Sequence, residues 1–148
     1  MRIYADSSFL VSCLYPPDPG YPAAKAFFLR HAEEEWLTCS WSQFETINSL
    51  RQLSRHKPGP PPPLADALRR LFKHWHDAGS FSFAETDNNE AVIESAQISA
   101  AVGSRVRMRS ADVLHIALLE QINPDLFVTR DKDQFALAKA RAFPAKLV

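Results

Sequence analysis

The sequence has little of what marks secreted, zinc-stabilised or membrane proteins. Its two cysteines, Cys13 and Cys39, lie in apolar contexts, which favours reduced thiols in a cytoplasmic protein over a disulfide framework. No histidine or cysteine residues stand at the spacing of zinc ligands, so we expect no structural zinc. The N-terminus lacks the apolar run of a signal peptide, and no window of about 18 apolar residues predicts a membrane span.

The sequence also lacks an excess of charge of either sign. Its 17 basic and 17 acidic residues give a formal net charge of zero, so a nucleic-acid partner would need a local basic patch. Of the 148 residues 46% are hydrophobic, which is typical of a globular protein that buries a core. We therefore expect a single domain that spans residues 1–148.

What the sequence does contain is an alternation of short apolar runs with segments of helical periodicity. The predicted strands lie near residues 3–5, 36–39, 80–83 and 125–129, and the pattern is compatible with a closing edge strand at 145–148. The predicted helices lie near residues 9–14, 23–32, 40–55, 64–78, 87–102, 111–121 and 131–141. Strands separated by helices predict an α/β fold with three layers, α/β/α, around a central and mainly parallel sheet of four or five strands.

A proline-rich segment, residues 58–63, interrupts this alternation. Proline lacks an amide hydrogen, and a run of prolines favours the polyproline II conformation. The segment is therefore predicted to be a stiff spacer ahead of a helix that begins at Leu64. Such runs also serve as SH3 ligands, and this second interpretation stays open.

Three carboxylates lie at positions that this architecture brings to one edge of the sheet. Asp6 follows the first strand, Asp131 follows the strand near 125–129, and the carboxyl ends of parallel strands meet at the same edge. Asp112 lies in the first turn of a helix that enters from that edge. Each also has an ordinary explanation, as a helix cap for Asp6 and Asp131 and as a helix-dipole partner for Asp112.

A fourth acid, Glu45, lies in the helix near residues 40–55. The buried stripe of this helix is predicted to contain Phe44, Ile47 and Leu50, so Glu45 falls at its boundary. At that position a glutamate is either solvated or reaches into a cleft.

A cluster of these four acids would require a cation. Two unit charges about 4 Å apart repel by about 4 kcal/mol at an effective dielectric constant of about 20. Oxygen ligands select hard ions, so the pattern predicts Mg²⁺ or Mn²⁺.

Four stretches carry a likeness to a known family. They are IYADSS at 3–8, FETINSL at 44–50, SADVLHIA at 110–117 and FVTRD at 127–131. In their order and spacing they resemble the PIN-domain nucleases, and most of all the VapC toxins of bacterial toxin–antitoxin pairs. The resemblance covers nearly the whole chain and implies a PIN-like fold.

The resemblance assigns residues to the site. It implies that four acids bind the metal and carry catalysis, namely Asp6, Glu45, Asp112 and Asp131. It implies supporting positions at Ser7 or Ser8 and at Thr129. Because Asp133 is a second acid close to Asp131, the fourth ligand stays open between these two.

The resemblance also implies an activity. It predicts an endoribonuclease that uses Mg²⁺ or Mn²⁺ to hydrolyse RNA phosphodiester bonds and leaves a 5′-phosphate and a 3′-hydroxyl. It further implies a cognate antitoxin protein that blocks the site, and a homodimer. The apolar residues Phe27, Phe28, Leu68 and Phe72 are either a docking groove for the antitoxin or part of the core.

RNA phosphates would need cations near these acids. Arg107 and Arg109 precede Asp112 in a segment that, if extended, places them on one side, and Arg130 adjoins Asp131. We interpret these arginines as an RNA-binding rim, with unrelated surface arginines as the alternative.

Two other functions are compatible with parts of the pattern. A non-catalytic PIN-like scaffold in RNA processing would be favoured if one of the four acids were missing, and none is. A phosphoacceptor receiver domain would need an early acidic pair, whereas this chain has the single early Asp6.

Overall fold

The computed structural model describes residues 1–55 and 59–148, and these residues build a parallel sheet with helices on both faces. The strands are β1 (Arg2–Ala5), β2 (Glu35–Thr38), β3 (Ser82–Phe83), β4 (Leu126–Thr129) and β5 (Ala145–Leu147). The helices are α1 (Ser7–Leu14), α2 (Tyr21–Arg30), α3 (Ser40–Gln52), α4 (Pro62–Asp77), α5 (Asn88–Val102), α6 (Ser110–Ile122) and α7 (Lys132–Ala140). A short 3₁₀ turn, Leu53–Arg55, follows α3.

The strand order β3-β2-β1-β4-β5 puts β1 at the centre, and every pairing is parallel. The three-layer α/β/α fold predicted from the sequence is therefore confirmed, with five strands. The chain leaves β1 towards β2 on one side and returns to β4 on the other. In such sheets the crevice beside the central strand, at the carboxyl ends, is where ligands bind.

The two faces of the sheet bury separate apolar clusters. Within β1, Ile3 and Ala5 pack with α1, α2, α3 and α4 on one face. Tyr4 points to the opposite face, which α5, α6 and α7 cover. This alternation fixes the register of β1, because a shift by one residue would exchange the two faces.

The helix after the proline-rich segment begins earlier than predicted. Pro61 is extended, at φ −63° and ψ 152°, and α4 begins at Pro62 rather than at Leu64. Prolines are tolerated in the first turn because the amide hydrogens there have no partner within the helix. Thus only the part of the segment before Pro62 is a spacer, and Pro58 lies outside the described residues.

The predicted stripe of α3 is also wrong in part. Phe44 is 55% exposed, and the buried positions of α3 are Ser42, Thr46 and Leu50. Their spacing of four residues defines a face that excludes Phe44. Two of these three buried residues are polar, and Thr46 satisfies its hydroxyl by donating to the Ser42 carbonyl at 2.7 Å. An apolar pattern does not reveal such a face.

The apolar residues considered as a docking groove are either buried in the core or half-buried against it. Leu68 and Phe72 of α4 are buried in the cluster that includes α1, and Phe27 and Phe28 of α2 pack against it. Across the described ranges, we find no helix with the length and apolar character that crossing a bilayer requires.

Candidate active site

Asp6 lies directly after the central strand and is 1% exposed. Its Oδ1 accepts hydrogen bonds from the Phe9 amide at 2.9 Å and the Ser8 hydroxyl at 2.8 Å, and the first of these caps α1. Its Oδ2 accepts from the Thr129 hydroxyl at 2.6 Å and lies 2.9 Å from the Ser8 hydroxyl. Burial raises the pKa of Asp6, and the neighbouring His115 imidazole and these hydrogen bonds oppose the rise only in part.

Thr129 and Ser8 join the ends of β1 and β4 around this carboxylate. The Asp6 amide donates to the Val128 carbonyl at 3.2 Å, which continues the parallel ladder past Ala5. Thr129 Oγ1 accepts from the Asp131 amide at 2.9 Å, so one hydroxyl contacts both strand-end acids. The Arg130 amide donates to Ser8 Oγ at 2.9 Å. The predicted supporting residues thus lie between the acids.

Asp131 caps α7, as its ordinary explanation predicts. Its Oδ1 accepts from the amides of Asp133 and Gln134, at 2.8 and 3.1 Å. Its Oδ2 accepts from Arg109 Nη2 at 3.0 Å. Asp133 points away from this cap, with an oxygen 3.9 Å from Nε of Arg107.

Asp112 is 2% exposed and lies in the first turn of α6. Its Oδ2 accepts from the Arg109 amide at 2.8 Å and from Arg109 Nε at 3.1 Å. Arg109 is therefore the residue at the N-cap position of α6. The Arg109 guanidinium joins Asp112 to Asp131 and is the cation nearest to both, although its side chain is 68% exposed.

Glu45 reaches the same region from α3. Its Oε2 accepts from the Ser7 hydroxyl at 3.3 Å and lies 3.2 Å from Nδ1 of His115. Ser7 adjoins Asp6, and His115 is one helical turn after Asp112. The two candidate serines therefore divide their roles, because Ser8 contacts Asp6 and Ser7 contacts Glu45.

The four acids thus lie in one connected region at the carboxyl edge of the sheet, and all four offer the oxygen ligands that fit Mg²⁺ or Mn²⁺. In the described residues, however, no three acidic, histidine or cysteine side chains are gathered closely enough to hold an ion. The positive charge at this edge comes instead from Arg109.

The other two arginines of the predicted rim have different settings. Arg107 is 87% exposed, and its Nε lies 3.9 Å from a carboxylate oxygen of Asp133. The Arg130 side chain lies over Gly20, where an added Cβ would come within 1.7 Å of the guanidinium carbon. Arg107 is therefore the most accessible of the three.

Sequence reasoning missed His115 and Tyr4. His115 is fully buried, and its Nε2 lies 3.1 Å from the Tyr4 hydroxyl. A signal for His115 was available, because residues three apart on a helix share a face and His115 is three residues after Asp112. Tyr4 carried no such signal, since it is one of several apolar residues of a buried strand.

Comparison with known proteins identifies the fold of the chain. No family model and no curated protein sequence matches the chain. Solved structures do match: VapC20 of Mycobacterium tuberculosis, described as a sarcin-ricin loop cleaving toxin, has a TM-score of 0.69 at 13% identity over 95% of both chains. VapBC2 of Rickettsia felis, bound to a DNA fragment from their promoter, has 0.68 at 9% identity over 99% of this chain and 98% of that one. FitAcB of Neisseria gonorrhoeae has 0.60 at 15% identity over 97% and 95%.

These neighbours are PIN-domain proteins of toxin–antitoxin pairs. The chain has their fold along nearly its whole length, and the resemblance stated from the four sequence stretches is confirmed at that level.

Proposed function

We propose that this protein is an endoribonuclease of the VapC type, the toxin of a toxin–antitoxin pair. The observation that carries the proposal is the burial of two carboxylates, Asp6 and Asp112, beside the central strand, with Asp131 and Glu45 next to them. Burying ionised carboxylates is costly unless a positive charge or a metal compensates them. A PIN-like fold that maintains this arrangement at its ligand-binding edge is best explained by catalysis.

In this proposal the carboxylates of Asp6, Asp112 and Asp131 hold Mg²⁺ or Mn²⁺, and Glu45 binds the ion or orients the attacking water. The bound ion supplies an acidified water and a polarised phosphoryl group. Thr129 and Ser8 keep the Asp6 carboxylate fixed by donating to it. Arg109, which here contacts Asp112 and Asp131, and Arg107 would contact RNA phosphates at this edge.

The proposal extends to partners. Two of the neighbouring structures, VapBC2 and FitAcB, carry the names of toxin–antitoxin pairs. We propose a cognate antitoxin as the protein partner, an RNA substrate, a homodimer in the cytoplasm, and a single domain that spans 1–148. Co-expression with any short reading frame found beside the gene tests the antitoxin, and sedimentation analysis of the purified protein tests the homodimer.

The decisive experiment compares Asp6→Asn with the wild type on total RNA in Mn²⁺. We expect cleavage to fall by more than about 100-fold, which is the upper end of the losses caused by residues that only support metal ligands. Glu120→Gln is the matched control, because Glu120 lies in the last turn of α6, away from Asp112 in its first turn, and pairs with Arg141. Full cleavage by an Asp6→Asn preparation free of host nuclease would refute the proposal.

A non-catalytic RNA-processing module remains the second candidate, and one observation favours it. Arg109 already neutralises Asp112 and Asp131 in this structure. A melting temperature that does not respond to Mn²⁺, together with RNA binding without cleavage, would favour this candidate, because a ligand that binds only the native state raises its stability.

A further inference from the structure

A buried chain of polar side chains runs from the central strand to Glu45. The Tyr4 hydroxyl lies 3.1 Å from Nε2 of His115, and Nδ1 of His115 lies 3.2 Å from Oε2 of Glu45. Tyr4 and His115 are both fully buried. The first contact joins β1 to α6 and the second joins α6 to α3, so these side chains connect three elements.

The Tyr4 hydroxyl lies 3.1 Å from Nε2 of His115 and can either donate to this nitrogen or accept from it, so this contact bears on which nitrogen of His115 carries the hydrogen. A phenol carries one hydrogen, which Tyr4 can give to Nε2. The Tyr4 oxygen also lies 3.4 Å from Sγ of Cys39, and a thiol that donates to this oxygen leaves the phenol hydrogen for Nε2. When Tyr4 donates to Nε2, the imidazole carries its own hydrogen on Nδ1, the nitrogen next to Glu45.

The Nδ1 atom has one polar neighbour. Its distance to Glu45 Oε2 is short, but the ring is not aligned for a hydrogen bond, and among residues 1–55 and 59–148 this buried atom has no other partner. Buried donors are rarely left unpaired in folded proteins. A Glu45 carboxylate in line with the Nδ1–H bond would satisfy this atom and would in turn be held by it.

We infer that His115, supported by Tyr4, is a positioning residue that fixes Glu45 for catalysis. Ser7 and His115 both contact Oε2, and among the described residues Oε1 accepts no hydrogen bond. The inference rests on the proposed function. It adds a residue that acts through Glu45 and does not itself touch RNA or metal.

The test is a double-mutant cycle between His115→Phe and Glu45→Gln, with RNA cleavage rate and Mn²⁺ affinity as readouts. We expect His115→Phe to lower the kcat of cleavage, or the Mn²⁺ affinity, by about 10- to 100-fold, the range seen for residues that orient metal ligands. In the Glu45→Gln background, the same change should have little further effect, because the two residues act as a unit. Losses that multiply independently would overturn the inference.

A pair of polar variants separates positioning from packing. The amide nitrogen of asparagine occupies the place of Nδ1, whereas that of glutamine occupies the place of Nε2. His115→Asn should therefore retain more activity than His115→Gln, and Tyr4→Phe should lose less than His115→Phe. Equal losses in His115→Asn and His115→Gln would show that the imidazole only fills space.

The readouts also keep the two proposals apart. Leu118→Ala, a buried apolar change on α6, should lower stability and leave Mn²⁺ affinity unchanged. If the wild type does not cleave RNA, the nuclease proposal fails, but the ¹⁵N resonance of His115 Nδ1 still tests the contact between His115 and Glu45. A resonance that moves in Glu45→Gln supports this contact, and one that does not move overturns it.

Discussion

Asp6 performs two tasks whose demands conflict. As the cap of α1 it accepts from the Phe9 amide, and as a candidate metal ligand it is a charged group with almost no exposure. Three donors, the Ser8 and Thr129 hydroxyls and the Phe9 amide, compensate the charge, yet the pKa of the carboxyl remains raised by burial. In the metal-free protein the buried charge of Asp6 therefore lowers the stability, although the proposed function requires this charge.

We expect Asp6→Asn to raise the free energy of unfolding of the metal-free protein at neutral pH. Between the ordinary pKa of the unfolded chain and the raised pKa of the folded one, the folded state holds a proton that the unfolded state has lost. Stability contributed by Asp6 therefore falls as pH rises through this window and stays lower above it. Asparagine does not ionise, so the advantage of the variant should be present at about pH 7 and absent at about pH 3, below the ordinary pKa.

Urea unfolding with EDTA at both pH values measures this. A variant that is less stable than the wild type by the same amount at both pH values would show that the hydrogen bonds to Asp6, rather than its buried charge, dominate.

At the scale of elements, the strands and the helices with clear apolar periodicity could be predicted well from the sequence. The acids at strand ends could be predicted because the carboxyl ends of parallel strands share an edge. The buried face of α3 could not be predicted from an apolar pattern. Two of its residues, Ser42 and Thr46, are polar and are tolerated in the interior because local hydrogen bonds satisfy their hydroxyls. The partner of Asp112 could not be predicted either, because Arg109 caps α6 with its backbone while its side chain turns back to the acid.

The corrected face of α3 predicts unequal effects for two residues that the apolar pattern placed together. Leu50 is fully buried, so Leu50→Ala should lower the free energy of unfolding by about 2–5 kcal/mol through the cavity it leaves. Phe44 is more than half exposed and contacts Trp41, so Phe44→Ala should cost about 1 kcal/mol or less. Urea unfolding of the two variants measures both, and equal losses would return Phe44 to the buried stripe.

At the scale of the whole molecule, the zero net charge means that attraction to RNA must be local. The acids at the carboxyl edge repel phosphate, and the arginines there have to outweigh them. Arg109 is bound to Asp112 and Asp131, and Arg130 lies over Gly20. Arg107 is thus the most exposed of the three rim arginines, and its acidic neighbour Asp133 lies 3.9 Å away.

Arg107→Gln should therefore weaken RNA binding and flatten its dependence on salt. Each phosphate contact on single-stranded RNA contributes about 0.7 to the slope of log affinity against log salt, so the slope should fall by about that amount. The measurement is RNA affinity at several KCl concentrations, made in the Asp6→Asn background so that the RNA stays intact. Arg2→Gln is the matched control, because Arg2 begins β1 and lies at the opposite edge of the sheet. If the slope is unchanged in Arg107→Gln, or falls equally in Arg2→Gln, RNA does not approach over the carboxyl edge, and the rim of arginines is not its binding surface.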